Sequence, residues 1–217
     1  MTARLAVFDL DGTLVDSAPD IQDALDRMMA ARNLPGFTRD EVVGMIGDGV
    51  KVLVERALAA RGLPFDPAAH DKFVADYTAR SAEKTRPFDG IPEALDALQA
   101  EGWGLAVCTN KPEAAAREVL GALGLMERLQ ALGGGDSFPV RKPDPGHLLA
   151  TIAAAGGNAA NTVMIGDHHN DVQAARAAGI PCVFVGWGYG ALHMAEGASV
   201  APRPDSLPAE LAAALRL

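Results

Sequence analysis

A short apolar run that leads directly into two acids constrains this chain more than any other stretch. Residues 5–8 read Leu-Ala-Val-Phe, and Asp9, Leu10, Asp11 and Gly12 follow. The run is too short for a helix and is typical of a buried strand, which places Asp9 and Asp11 on one face beside a turn. An Asp-Gly turn by itself accounts for Asp11, but not for Asp9. Two adjacent carboxylates repel each other, so they indicate a bound cation or one protonated acid.

The length and charge of the chain limit what it can bind. At 217 residues it can form one domain with a smaller insert, and its hydrophobic fraction of 49% is ordinary for a globular protein. The formal net charge of −9 argues against nucleic acid and anionic membranes as partners. No stretch has the apolar length of a membrane span or of a signal peptide. Cys108 and Cys182 lie in predicted strands and favour a reducing compartment, so we expect a cytoplasmic protein, as a monomer or a homodimer.

The order of predicted elements divides the chain into a core and an insert. Residues 16–86 show only helical periodicity, with capping-box spacing from Thr38 to Glu41, and no run within them reads as a strand. After the insert, short apolar strands alternate with amphipathic helices, which is typical of a doubly wound parallel sheet. The prediction is an α/β fold with a Rossmann-like core, residues 1–15 and 87–217, and an inserted α-helical cap, residues 16–86.

Polar residues stand at the ends of the predicted strands, where a doubly wound sheet binds its ligands. Taken singly, each has an ordinary explanation as a helix cap, a turn residue or a solvated charge. Taken together, four acids, a hydroxyl and a lysine from distant parts of the chain are expected to converge on one crevice. These six residues are Asp9, Asp11, Thr109, Lys142, Asp167 and Asp171, and the amide of Asn110 lies next to Thr109.

Phosphoryl transfer is the chemistry that fits such a crevice. Several carboxylates suit a hard, oxygen-seeking cation, most naturally Mg²⁺. A phosphomonoester is doubly anionic, so a metal ion and a lysine are needed to offset its repulsion from a carboxylate. A carboxylate can then attack phosphorus while a second acid moves the protons, and a small hydroxyl such as Thr109 can donate to the phosphoryl oxygens. The expected ligand is a small phosphorylated metabolite.

Four short motifs stand in order along the chain. They are Asp9-Leu-Asp11-Gly12-Thr13, Thr109, Lys142-Pro143, and Gly166-Asp167 with Asp171. With these motifs the chain resembles the haloacid dehalogenase-like hydrolase superfamily, and its helical insert sits where the C1-type caps of that superfamily sit. The resemblance covers essentially the whole chain and implies an Mg²⁺-dependent phosphatase that works through an aspartyl phosphate.

The same resemblance implies a role for each motif residue. Asp9 would be the nucleophile and Asp11 the general acid/base. Mg²⁺ would be bound by Asp9, the backbone carbonyl of Asp11, and Asp167. The residues that would hold the phosphoryl group are Thr109, Asn110 and Lys142, with Asp171 in support of the metal site or of Lys142.

Within the superfamily, the chain is most similar to the phosphoglycolate phosphatase family. The similar stretches are residues 11–20, 46–49, 142–145 and 166–179. This similarity implies 2-phosphoglycolate as the substrate. One alternative is a phosphatase of another small metabolite, either pyrophosphate or a sugar phosphate such as N-acetylmuramate 6-phosphate. A different class, a receiver domain or binding protein that only accepts a phosphoryl group, is the second alternative.

Specificity for the substrate is expected to come from the cap, because the core contacts only the phosphoryl group. Asp48, Lys51 and Arg56 are candidates for facing the crevice, and either cation could bind a substrate carboxylate. Alternatively, Lys51 and Arg56 are two solvated charges on the surface of a helix. His168 departs from the family pattern, which usually has a small hydroxyl residue there. His168 and His169 could form a transition-metal pair or lie in an exposed loop.

Overall fold

The computed structural model describes residues 4–215. Residues 1–3 and 216–217, which the domain prediction assigns to the core, lie outside the described residues. In chain order the strands are β1 (Arg4–Phe8), β2 (Val15–Asp16), β3 (Arg86–Pro87), β4 (Trp103–Cys108), β5 (Ala131–Gly133), β6 (Thr162–Gly166), β7 (Cys182–Val185) and β8 (Ser199–Ala201). The helices are α1 (Ala18–Ala30), α2 (Arg39–Val43), α3 (Val50–Ala60), α4 (Pro67–Thr78), α5 (Ile91–Ala100), α6 (Glu113–Ala122), α7 (Pro145–Ala154), α8 (His169–Ala178) and α9 (Leu207–Ala214).

Six strands form one parallel sheet in the order β5-β4-β1-β6-β7-β8, with β1 inside it. Ala6 and Phe8 of β1 belong to an apolar cluster with α5, α6 and α9, whereas Leu5 and Val7 belong to a second cluster with α7 and α8. Because both faces of β1 are covered, its sequence is a continuous apolar run rather than an alternating one. The predicted doubly wound parallel sheet is confirmed.

The path of the chain through the sheet creates one crevice. From β1 the core continues to β4 and β5 on one side, and β6 then returns to pair with β1 on the other side. The connections therefore diverge at the carboxyl end of β1, which is the position where open α/β sheets bind ligands.

The helices of the insert share one apolar cluster, which also includes Ala115 of α6. Side chains from α1 to α4 pack together, and the buried members include Leu25, Met29, Val54, Leu58 and Phe73. The capping box predicted for α2 is confirmed: the Glu41 N–H donates to the Thr38 hydroxyl at 3.3 Å, and the Thr38 N–H donates to the Glu41 carboxylate at 2.7 Å.

A two-stranded ribbon lies where the insert leaves and rejoins the core. β2 and β3 are antiparallel, with Val15 opposite Pro87 and Asp16 opposite Arg86. The expectation that residues 16–86 contain no strand is wrong at these two edges, because a two-residue pairing is too short to produce a periodic pattern. The division into a core and a cap stays a prediction, and both of its predicted boundaries coincide with this ribbon.

Both cysteines are in strands, as predicted, and both are free thiols; Cys108 is buried and Cys182 is partly buried. Within the described part of the chain, no helix combines the length and hydrophobicity needed to cross a membrane. The cytoplasmic location and the monomeric or homodimeric state stay predictions.

Candidate active site

The carboxyl ends of three neighbouring strands place three of the predicted site residues together. Asp9 follows β1, Thr109 follows β4 and Asp167 follows β6, and all three are buried. The sheet pairing holds the backbone at these positions, since the Asp9 N–H donates to the Ile165 carbonyl at 2.8 Å and the Thr109 N–H donates to the Gly133 carbonyl at 2.8 Å. The predicted convergence of strand ends is therefore present in the structure.

Asp9 has one bonded carboxylate oxygen and one free oxygen. Its Oδ1 accepts the Leu10 N–H at 2.7 Å and lies 3.0 Å from Lys142 Nζ. Its Oδ2 makes no hydrogen bond to any residue that the structure describes. Burial raises the pKa of Asp9 to about 6; Lys142 opposes this shift, while Asp171 and Asp11 add to it. Asp9 thus presents a desolvated carboxyl group beside the fixed ammonium of Lys142, which suits a nucleophile.

Lys142 is buried behind Asp9 and is fixed by three oxygen atoms. Its Nζ lies 2.6 Å from Asp171 Oδ1 and 3.0 Å from Asp9 Oδ1, and it donates to the Cys108 carbonyl at 2.5 Å. Burial alone would lower the pKa of Lys142, but Asp171 and Asp9 raise it above its ordinary value, so the ammonium stays charged. The second carboxylate oxygen of Asp171 accepts the His168 N–H at 3.0 Å. Asp171 therefore contacts Lys142 directly, and its predicted support of the metal site or of Lys142 stays a prediction.

Asp167 is held from two directions. Its Oδ2 accepts the N–H groups of Tyr189 at 2.8 Å and Gly190 at 3.1 Å, and its Oδ1 accepts the Thr13 hydroxyl at 3.1 Å. Burial raises the pKa of Asp167 to about 7, and the negative charge of Asp9 adds to the shift. These contacts fix the carboxylate close to Asp9 while it remains poorly compensated in charge.

The turn after Asp11 requires glycine at position 12. Gly12 has φ +83°, and a Cβ there would overlap the Asp167 carboxylate and come within 2.8 Å of the Tyr189 ring. The Asp-Gly turn is therefore present, as the sequence indicated, but the close approach of Asp167 is a second reason for the glycine.

Asp11 pairs with a lysine that sequence reasoning did not select. Lys111 Nζ lies 2.8 Å from Asp11 Oδ1 and 3.1 Å from Asp11 Oδ2, and it also contacts the Tyr77 hydroxyl of α4. The Lys111 side chain is 2% exposed. Its position two residues after Thr109, in the same strand-end loop, is the sequence signal that could have identified it, because alternating residues share a side of an extended chain.

Thr109 and Asn110 have different surroundings. The Thr109 hydroxyl accepts the Lys111 N–H at 3.2 Å and lines the crevice. Asn110 instead donates from Nδ2 to the Gly47 carbonyl of the insert and to the Lys142 carbonyl, both at 3.0 Å. Asn110 thus connects the insert to the core, and its buried Oδ1 has no partner in the described part of the chain.

The site carries an excess of negative charge that a cation would offset. Its carboxylates outnumber its ammonium groups; the residues are Asp9, Asp11, Asp167 and Asp171 against Lys111 and Lys142. Three of the acids, Asp9, Asp167 and Asp171, each offer an oxygen within 4.8 Å of the others. Burial is the main cause of the raised pKa values of Asp9 and Asp167, and the neighbouring carboxylates add to both shifts. Because carboxylate oxygens are the preferred ligands of Mg²⁺, these residues fit that ion.

The two cap cations predicted to face the crevice lie elsewhere. Lys51 is exposed, with its Nζ 3.7 Å from Glu55 on the same helix. Arg56 pairs with Asp48 at 2.5 Å and donates to the Met45 carbonyl at 3.1 Å. Neither cation lines the cavities at the site. The expectation that Lys51 and Arg56 face the crevice is corrected, since the apolar side of α3 is buried in the insert and its charged side is left outside.

Asp48, His168 and His169 meet where the insert touches the start of α8. Asp48 Oδ1 accepts the Asn170 side-chain N–H at 2.7 Å, and the two imidazole rings lie 4.0 Å apart. The three residues offer possible metal ligands within 4.8 Å of one another, but Arg56 already pairs with Asp48. Both histidines are partly buried, so the exposed-loop expectation is corrected. Burial lowers the pKa of His168 to about 4, and a transition-metal role stays a prediction.

Two cavities meet at Asp9 and Asp11. Ile46 and Gly47 of the insert line both cavities. The first continues along Thr109 and Lys111 beneath apolar cap residues, which include Ile21, Val50, Leu53 and Phe73. The second continues along Asp167, His168 and Tyr189. An organic ligand in the first cavity and a cation in the second would therefore both lie beside Asp9 and Asp11.

Fold and site together define an α/β enzyme with a helical insert and with buried acids and lysines at the switch point of its sheet. The chain belongs to the haloacid dehalogenase-like hydrolase family, whose sequence model matches residues 6–185.

Known relatives agree with this assignment over nearly their whole length. A phosphoglycolate phosphatase from Mesorhizobium japonicum is 42% identical and covers 98% of this chain and 96% of its own. A phosphoglycolate phosphatase from Agrobacterium fabrum is 43% identical, and the match covers 90% of this chain and 88% of that protein. A crystal structure described as a predicted phosphoglycolate phosphatase from Haemophilus somnus superposes with a TM-score of 0.87 at 28% sequence identity. The superposition covers 96% of this chain and 98% of that one. The predictions of the family and of a phosphatase are confirmed.

Proposed function

We propose that this protein is an Mg²⁺-dependent phosphatase that hydrolyses 2-phosphoglycolate through an aspartyl phosphate on Asp9. The observation that carries the mechanism is the free Oδ2 of Asp9 in a crevice shared with a second acid, Asp11. The names of the relatives support the substrate. Residues 16–86 act as the cap that covers this crevice.

The first half of the reaction transfers the phosphoryl group to the protein. Asp9 Oδ2 attacks phosphorus, and the bond from phosphorus to the ester oxygen breaks. Asp11 donates its proton to that oxygen, so that glycolate leaves as an alcohol rather than as an alkoxide. Lys142, 3.0 Å from Asp9 Oδ1, and the Thr109 hydroxyl offset the negative charge on the phosphoryl oxygens.

The second half regenerates the enzyme. Asp11, now ionised, takes a proton from a water molecule, and the water oxygen attacks phosphorus. The bond between phosphorus and Asp9 Oδ2 breaks, which releases inorganic phosphate and restores both acids. Lys111 Nζ, 2.8 Å from Asp11 Oδ1, holds the Asp11 carboxyl group in position for both proton transfers.

Asp9, the Asp11 backbone carbonyl and Asp167 would hold Mg²⁺ in the second cavity. Bound there, the ion supplies positive charge that reduces the repulsion between Asp9 and the phosphate dianion. The loop amides of Tyr189 and Gly190 keep Asp167 aimed at this position. Asp171, which the structure ties to Lys142, supports the site from behind.

A phosphate-release assay tests the proposal on the intact protein. We expect Mg²⁺-dependent turnover of 2-phosphoglycolate, with kcat/KM above that for N-acetylmuramate 6-phosphate and for pyrophosphate, and loss of turnover after chelation. Asp9→Asn should lower kcat by at least roughly a thousandfold because it removes the nucleophile. Asp205→Asn is the matched control, since Asp205 is exposed and its side chain bonds to no described residue other than Arg203.

Three results would contradict parts of the proposal. Full activity of Asp9→Asn would remove the nucleophile assignment. Preference for pyrophosphate or a sugar phosphate would replace the substrate. A stable phosphoprotein without phosphate release would indicate a phosphoacceptor instead of a phosphatase.

A further inference from the structure

The first cavity, beside Asp9, Asp11 and the apolar residues of the insert, would hold the organic part of the substrate. Among the described residues that line it, Lys111 is the sole cation. Most of the insert residues around it are apolar, including Ile21, Leu53 and Phe73. A ligand with a negative group besides its phosphate would therefore meet a single countercharge in this cavity.

Lys111 is fixed in place and still has donor capacity. Its ammonium contacts Asp11 and the Tyr77 hydroxyl, and an ammonium has three N–H donors. Burial alone would lower the pKa of Lys111, but the Asp11 carboxylate raises it above its usual value, so the charge is retained. Two of its three contacts go to the two oxygens of the Asp11 carboxylate, at 2.8 Å and 3.1 Å, so a ligand carboxylate can replace the longer one while Lys111 stays paired with Asp11.

The chemistry of 2-phosphoglycolate puts its carboxylate near this group. The leaving oxygen must contact Asp11, which protonates it, and the carboxylate carbon is only two bonds from that oxygen. The countercharge must therefore lie beside Asp11, as Lys111 does at 2.8 Å. Lys142 is already held by Asp9, Asp171 and a backbone carbonyl.

We propose that Lys111 binds the carboxylate of the substrate and so sets the preference for 2-phosphoglycolate over uncharged phosphate esters. This inference rests on the proposed function. Lys111 acts from the core, whereas Tyr77 of the insert contacts its ammonium, so recognition of the carboxylate is shared between the two parts of the chain.

Two esters of equal length separate carboxylate binding from every other role of Lys111. 2-Phosphoglycolate and 2-hydroxyethyl phosphate differ by a carboxylate against a neutral alcohol. We expect the wild-type protein to prefer the first by at least about tenfold in kcat/KM. Lys111→Met should reduce that ratio by about 10- to 100-fold, mainly through the KM for 2-phosphoglycolate, because a charge-assisted hydrogen bond is lost.

Lys111→Met also removes the partner of Asp11, which should lower the turnover of both esters. Because both are affected alike, this loss cancels in the ratio of their kcat/KM values. Lys111→Arg should recover part of the preference, and Lys51→Met, at the exposed cap cation, should leave it unchanged. If Lys111→Met turns over too slowly, the ratio of dissociation constants is measured by calorimetry in Asp9→Asn, with and without Lys111→Met.

The outcomes separate the two proposals. An unchanged ratio in Lys111→Met overturns the carboxylate role and leaves the proposed phosphatase intact. A wild-type protein without preference for 2-phosphoglycolate overturns the proposed substrate, and the role of Lys111 with it.

Discussion

The hydroxyl of Tyr189 lies 2.7 Å from Oδ1 of Asp16, so the loop after β7 is bonded to the junction between core and insert. The same oxygen accepts the N–H groups of Ser17 at 2.8 Å and Ala18 at 3.0 Å. Ser17 is the N-cap of α1 but provides no side-chain cap. A side chain 172 positions away thus satisfies the start of this helix.

Tyr189→Phe should destabilise the protein by about 1–3 kcal/mol. The substitution keeps the ring but leaves the N–H groups of Ser17 and Ala18 without their acceptor. Equilibrium unfolding in urea measures the change. A difference below about 0.5 kcal/mol would show that water replaces the hydroxyl.

Lys142→Met should lower the free energy of unfolding by about 3–5 kcal/mol in the absence of Mg²⁺. It leaves the buried carboxylates of Asp9 and Asp171 without their shared cation. Lys51→Met is the matched control, because the exposed pair between Lys51 and Glu55 should contribute less than about 1 kcal/mol. Urea unfolding of both variants checks this; equal losses would contradict it.

His147 should make stability depend on pH between about 4 and 6.5. Burial, followed by the charge of Lys142, lowers the pKa of His147 from 6.5 to about 4. Below pH 6.5 the unfolded chain therefore binds a proton that the folded protein does not. As the pH is lowered from 6.5 to about 4, the free energy of unfolding falls by up to about 1.4 kcal/mol per pH unit.

His147→Asn should remove this dependence while retaining an acceptor for the Lys142 N–H, which lies 3.2 Å from the imidazole Nδ1. Asp9 and Asp167, whose pKa values are raised, shift stability in the opposite direction in both proteins. The quantity to measure is the difference in unfolding free energy between wild type and variant from pH 7 to pH 4. A difference that does not change with pH would contradict the prediction.

Local sequence signals were sufficient for the sheet and for the positions of its polar residues. Asp9, Thr109 and Asp167 could be placed because each directly follows an apolar run, and parallel strands bring their carboxyl ends to one edge. The insert could be predicted as helical because apolar residues recur at helical spacing throughout residues 16–86. The ribbon of β2 and β3 could not be predicted, because it forms only when residues 70 and 72 positions apart meet.

The sequence could not predict which cation pairs with which acid at the site. Lys51 and Arg56 were expected at the crevice because they lie on the insert, but the orientation of α3 turns them away. Lys111 carries the same charge but was not selected. Its place in the crevice depends on contacts with Asp11, 100 positions earlier, and with Tyr77 of α4.

The sequence by itself determined the fold class, the helical insert and the acids at the strand ends, since periodicity and strand termini are local properties of a chain. Only the tertiary structure decided which lysine meets which acid, which oxygen of Asp9 stays free, and how Tyr189 ties the core to the insert. Hydrogen bonds and ion pairs act over about 3 Å, and only folding brings residues that are distant in sequence within that range.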